Sequence, residues 1–188
     1  MPSESFATVI AAVIAALAAL GGYLANQFAN RREQRIGMYA EALRALGTYQ
    51  DIPYRIVRRP NSEPETRERL GILLSEAVSQ VRFYESWLQI HSPEVGAAYA
   101  LLFRRIRQLA RSHMANAWRR AVILTDSELS EPPHYPYLRE TREERQLVLL
   151  AMQADLSPFS SFRMWRIRNR IHQLISKEPN TPSSLMGV

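Results

Sequence analysis

FATVIAAVIAALAALGGYLA, residues 6–25, runs straight into NQFANRREQR, residues 26–35. The first twenty residues hold no charge and no proline. As a helix rising 1.5 Å per residue they extend about 30 Å, the thickness of a hydrocarbon core. Arg31, Arg32 and Arg35 follow at once and form a basic flank. The stretch therefore reads as a single transmembrane anchor. No Lys or Arg precedes residue 31. Basic flanks are retained on the cytoplasmic side, so the residues ahead of the span are expected outside and the remainder inside the inner membrane. A cleaved signal peptide is the main competitor, but it requires a basic leading region that is missing here. A buried Ala-rich helix of a soluble protein is the second, because alanine is only weakly apolar.

Working outward, this opening divides the chain. Residues 1–5 are expected as a short extracytoplasmic tail and 6–25 as the transmembrane helix. Residues 26–178 are expected as a cytoplasmic helical bundle and 179–188 as a disordered Pro/Ser-rich tail. The expected fold is all-α: one N-terminal transmembrane helix continuing into an antiparallel bundle of four to five helices. Ala11, Ala15, Ala18 and Gly22 recur at spacings of four, three and four, lining one face of the span with small residues. Such faces let two backbones approach closely in lipid, so the anchor is expected to self-associate into a homo-oligomer. Chance patterning in an Ala-rich segment is the alternative.

The 188 residues contain no cysteine, which excludes disulfides, thiolate nucleophiles and Cys-based zinc sites. The formal net charge is +6, and Lys177 is the single lysine. Arginine in place of lysine, with abundant alanine, points to a GC-rich bacterial or phage genome. A basic surface favours anionic partners; for a tethered chain, membrane lipids are the nearest of these.

The helical pattern continues past the anchor through Ile36, Tyr39, Leu43 and Leu46 and is expected to stop before Pro53, since proline pushes its predecessor out of the α region. Residues 51–64, with three prolines, read as a connection in which Arg55, Arg58 and Arg59 form a solvated basic cluster. A second helix is expected from about Pro64 to Ile90, with Ser62 as N-cap. Leu70, Leu74, Ala77, Val81, Tyr84 and Leu88 give it a heptad seam, serving an intramolecular bundle ahead of a dimeric coiled coil. Ser92 and Pro93 start a third helix reaching about Leu124. Its buried face holds Tyr99, Phe103, Ile106, Ala110, Ala117, Ala121 and Leu124, while Arg104, Arg107 and Arg111 occupy another. Residues 125–139 are a long irregular stretch whose acids, Asp126, Glu128 and Glu131, are expected to answer those arginines. A fourth helix covers about Thr141–Leu156; its LVLLAM run, 147–152, is apolar nearly all round and expected to be central. A fifth covers about Phe159–Lys177, with Met164, Ile167, Ile171 and Leu174 as its apolar stripe.

The chemistry-bearing residues form no catalytic or metal pattern. No two of His91, His113, His134 and His172 stand at helical ligand spacing, and Glu131, three residues before His134, is separated from it by two prolines in a loop; no nucleophile elbow or phosphate-binding glycine loop occurs, and no cofactor is expected. The fifth helix offers the best working surface. Arg163, Arg166 and Arg170 flank its apolar stripe, with Phe162 and Trp165 nearby. Guanidiniums beside apolar groups suit anionic lipid headgroups; the same set suits a nucleic-acid backbone with Trp165 stacking on a base. A plain bundle helix, its arginines paired with neighbouring acids, is the alternative to both. The general build resembles small membrane proteins of actinobacteria and their phages, without a family-specific motif. The expected role is a non-enzymatic interaction or scaffold protein with an unknown protein partner. A membrane-active effector for phage exclusion, defence or lysis control is a second class, and a membrane-tethered nucleic-acid binder a third.

Overall fold

A computed structural model describes residues 3–122, 139–157 and 160–177, and every regular element among them is a helix. In chain order these are α1 Ser3–Val57, α2 Pro64–His91, α3 Pro93–Arg119, α4 Arg142–Asp155 and α5 Ser160–Lys177. The expected tail 179–188, most of the 125–139 stretch and His134 lie outside the described residues. The chain divides into two compact units, Met1–Tyr39 and Ala40–Val188.

In the first unit α1 is exposed along its apolar run, with Val13, Ile14, Leu17, Leu20 and Leu24 all at the surface. None of the apolar window is covered by protein, so no burial of this helix in the chain's own core is seen.

The second unit is a helical bundle around α3, which packs against α2, α4 and α5. On its other side Tyr49 of α1 meets Phe103 edge-on at 5.4 Å, and the Tyr99 hydroxyl donates to the Ala42 carbonyl at 2.9 Å. Val81, Leu88, Val95, Tyr99, Leu102, Ile106 and Val148 are fully buried and make the centre of the core.

Four expectations do not hold. First, α1 does not stop before Pro53 but runs to Val57 with the proline inside it. Its buried stripe is Tyr39, Ala42, Leu46, Tyr49, Pro53 and Ile56, a heptad rhythm that passes through the proline, while Ile36 is exposed. An interior proline costs about 3 kcal/mol. Burying Ile52 and Ile56 stabilises the helical path by about 1.5–3 kcal/mol each, so packing outweighs the break. Secondly, Ser62 is not the N-cap of α2. Glu63 holds that position, and Asn61 ties the start by accepting from Thr66 Oγ1 at 2.5 Å. Thirdly, α3 ends at Arg119 rather than near Leu124, because Arg120 turns extended at φ −68 and ψ 145. Fourthly, the LVLLAM run of α4 is two-sided. Leu147, Val148, Ala151 and Met152 are buried, but Leu150 is 56 % exposed and Leu149 lies beside it. A fourteen-residue helix packed on α3 and α5 covers only one of its faces, and α3 takes the central place.

The α2–α3 corner is tight. Ser92 stands at the N-cap of α3 and Pro93 in its first turn, as the sequence predicts, but the serine hydroxyl donates to Asp155 Oδ1 at 2.9 Å instead of capping its own helix. This bond ties the corner to the end of α4.

Two core tyrosines give the bundle an alkaline limit. Burial raises the Tyr99 phenol well above its ordinary 10.0, and negative charge at Glu85 and Tyr84 adds to it. Burial also raises Tyr49, with Arg107 partly opposing. Above pH 10 the unfolded phenols lose protons while the folded ones keep them. The native state then binds more protons, so stability falls as pH rises. The urea midpoint is expected to hold steady from pH 7 to 9 and to drop above 10, less steeply in Tyr99→Phe. An equal drop in wild type and variant excludes Tyr99 as a source.

Candidate functional site

The surfaces offered by the chain begin with the apolar end of α1. Ala15, Ala18 and Gly22 are exposed on it, and a Cβ built on Gly22 meets nothing within 4 Å. The side chain of Ala11 lies outside the described residues. Leu17 is 63 % exposed, and its neighbours along the run are similar. An apolar side chain left in water forgoes about 1.5–3 kcal/mol of burial, so the run is a large apolar surface that the protein itself leaves uncovered. By length and composition this end of α1 can cross a membrane. Arg31 and Arg32 are exposed just past it, and Arg35 is half-buried with a partner of its own.

The α2 seam faces the protein interior. Leu70, Ala77, Val81 and Leu88 are buried, and Leu74 and Tyr84 half-buried. The opposite side of the same helix carries a second apolar row that the sequence reading missed. Ile72, Phe83 and Ile90 recur at eleven and seven residues, which keeps them within about 20° of one line. All three are exposed, Ile90 by 77 %. The spacing was legible; the row was hidden because the inner seam already explained the helix. Phe83 borders a groove of about 460 Å³ between α1 and α2, whose floor includes Ala45, Thr48 and Ser79.

On α5, Met164, Ile167 and Ile171 are buried and Trp165 is 58 % exposed. Arg166 has a partner, Arg168 donates to Glu94, and Arg170 lies 3.9 Å from Glu143. The side chains of Phe162 and Arg163 are outside the described residues.

Arg59 is the residue the sequence reading placed wrongly. It was expected in solvent and is 4 % exposed. Its Nη1 donates to the carbonyls of Ile56 at 3.0 Å and Ala117 at 3.1 Å. Its Nη2 donates to Trp118 at 3.4 Å and Arg120 at 2.7 Å, and Nε to Ser62 Oγ at 3.0 Å. The last carbonyls of a helix have no partner within it, and they carry the negative end of its dipole. One guanidinium thus closes the ends of α1 and α3 together, with no carboxylate involved. Trp118 lies beside it, 5.3 Å from ring centroid to guanidinium carbon, and Arg67 approaches the same ring at 5.8 Å. Arg58 lies over Tyr54 at 4.2 Å.

Among the described residues no group of His, Asp and Glu is placed to hold a metal. His91 stacks on Trp87 at 4.1 Å, with Nδ1 2.9 Å from the Trp87 carbonyl oxygen. His113 is half-buried with a partner of its own, and His172 is exposed. Compared with known proteins, the chain matches no family model, no curated protein and no solved structure.

Proposed function

We propose that this chain is a single-pass membrane-anchored helical interaction protein that self-associates. In this reading residues 6–25 cross the inner membrane, the residues ahead of them lie outside, and the bundle works in the cytoplasm. What supports it above all is the contrast along α1. Its first half is an uninterrupted apolar surface without protein cover, and its second half is seated in a core. Arg31 and Arg32 at the end of the apolar run support the orientation. The small face through Ala15, Ala18 and Gly22 supports pairing of anchors, and tethering raises the effective concentration of the attached bundles.

The absence of cysteine makes the topology directly testable. Full-length protein is expected in the membrane pellet, resistant to carbonate and released by detergent. Ser3→Cys is expected to react with an impermeant maleimide in intact spheroplasts, and Ser112→Cys only after lysis. Recovery in the soluble fraction sinks the anchor, and labelling of Ser112→Cys in intact spheroplasts reverses the orientation. Ala15→Leu with Gly22→Leu is expected to cut crosslinked dimer at least fivefold without releasing the chain; unchanged crosslinking removes this face from the assembly.

A further inference from the structure

Arginine is not spread evenly over the bundle. From Arg104 to Arg120 the sequence RRIRQLARSHMANAWRR contains six arginines and no aspartate or glutamate. On α3, Arg104, Arg107, Arg111 and Arg119 fall in one sector of about 120°, opposite the face that holds Leu102, Ile106 and Ala117. Arg107, Arg111, Arg119 and Arg120 are exposed. Ion pairs join Arg44 to Glu41, Arg82 to Glu85, Arg168 to Glu94 and Arg170 to Glu143, and Arg104 has a partner of its own. Arg107, Arg111 and Arg119 of α3, and Arg120 just past its end, take part in none of these pairs. Along the helix, Arg107 to Arg119 covers about 18 Å. At the far end of the row Arg67 and Trp118 extend it onto the start of α2.

We infer that this face of α3 binds the phosphodiester backbone of a nucleic acid. A row of permanently charged guanidiniums matches a row of phosphates, and each phosphate neutralised releases counterions. The alternative polyanion, a lipid surface, is taken up by helices that also insert apolar side chains. α3 has none to insert, because the large apolar side chains exposed on the bundle belong to α2, α4 and α5. Finally, the one aromatic in the row, Trp118, already has Arg59 and Arg67 over its ring. It is not free to stack on a base, so recognition runs through phosphates and is indifferent to sequence. This site is separate from the α5 set and does not depend on the anchor being in lipid.

The test uses the full chain in non-ionic detergent and a labelled 20-nucleotide single strand with its duplex, followed by anisotropy between 50 and 300 mM salt. Wild type is expected to bind at least one of them, with an affinity that falls steeply as salt rises and does not change between two unrelated sequences. Arg107→Ala, Arg111→Ala and Arg119→Ala together are expected to weaken binding at least thirtyfold at 50 mM salt. They are also expected to flatten the log–log salt slope by about 2, three contacts at about 0.7 each on a single strand. Arg166→Ala with Arg170→Ala on α5 is the comparison and is expected to change binding less than threefold. Circular dichroism checks that both variants stay helical. Absence of binding, retained affinity in the α3 variant, or a loss that follows the α5 pair overturns the inference. So does a poly-glutamate competitor as effective as the nucleic acid, which assigns the face to an acidic protein. Vesicles rich in phosphatidylglycerol form the last arm: if the α3 variant loses vesicle binding and keeps nucleic-acid binding, the face is a lipid surface.

Discussion

Arg59→Ala is expected to destabilise the bundle by about 3 kcal/mol, the largest effect of any substitution of a polar residue. The magnitude follows from what is left behind. The carbonyls of Ala117, Trp118 and Arg120 lose a shared donor, and the site is buried. A buried polar group without a partner costs about 1–3 kcal/mol, less for each carbonyl that water can reach. The positive charge that faces two helix C-termini is lost as well. Arg59→Lys is expected to recover less than half of the loss. An ammonium is a point donor, whereas the planar guanidinium reaches Ser62 with Nε and two helix ends with Nη1 and Nη2. Urea unfolding in micelles, followed by tryptophan fluorescence and circular dichroism, measures both variants. Trp118 is a local reporter because the guanidinium lies beside its ring. A change under 1 kcal/mol for the alanine variant contradicts the assignment of Arg59 as the clasp between α1 and α3.

Gly96→Ala is expected to cost about as much by an opposite route, crowding instead of loss. A Cβ at this position lies 2.6 Å from the backbone nitrogen of Gln89 and 2.7 Å from its Cα. Backbone cannot swing aside like the end of a side chain, so α2 and α3 must separate at their corner. Overpacking of this kind costs about 1–3 kcal/mol and more where the neighbours are rigid. The corner is rigid: Ser92 is bound to Asp155, and Leu88 and Val95 are fully buried on either side. Gly47→Ala and Gly71→Ala make the comparison. Both glycines are helical and have nothing within 4 Å of the added Cβ. Each is expected to raise stability by about 0.5–1 kcal/mol, since alanine loses less conformational freedom in a helix. If Gly96→Ala behaves like these two, the close approach of the corner is not real.

The two substitutions also bear on the reading of the α3 face. Arg59 holds the C-terminal end of α3, where Arg119 and Arg120 are displayed. Weaker nucleic-acid binding in Arg59→Ala would therefore report displacement of that end as well as loss of a charge. The triple alanine variant on α3 avoids this ambiguity, because Arg107, Arg111 and Arg119 are exposed and make no described ion pair. Removing them leaves no buried carbonyl orphaned.

Local pattern made much of the architecture legible. The uncharged run 6–25, the four-three rhythm of Leu70 to Leu88, and Ser92-Pro93 each announce a helix or its start, because helical period and capping depend on residues within a few positions. Helix identity and order followed from them. The ends and sidedness of helices were another matter. Pro53 signals a stop locally, and only the packing of Ile52 and Ile56 against the bundle overrules it. LVLLAM reads as apolar all round, and only its neighbours decide that Leu149 and Leu150 face out. Arg59 looked like one more loop arginine; its carbonyl partners at Ala117 to Arg120 lie about sixty positions further on, a separation that no spacing rule reaches. Short-range regularities thus settle which segments coil. Which of their groups meet, which lose water and which charges stay free depends on contacts between distant segments, and those exist only once the chain has folded.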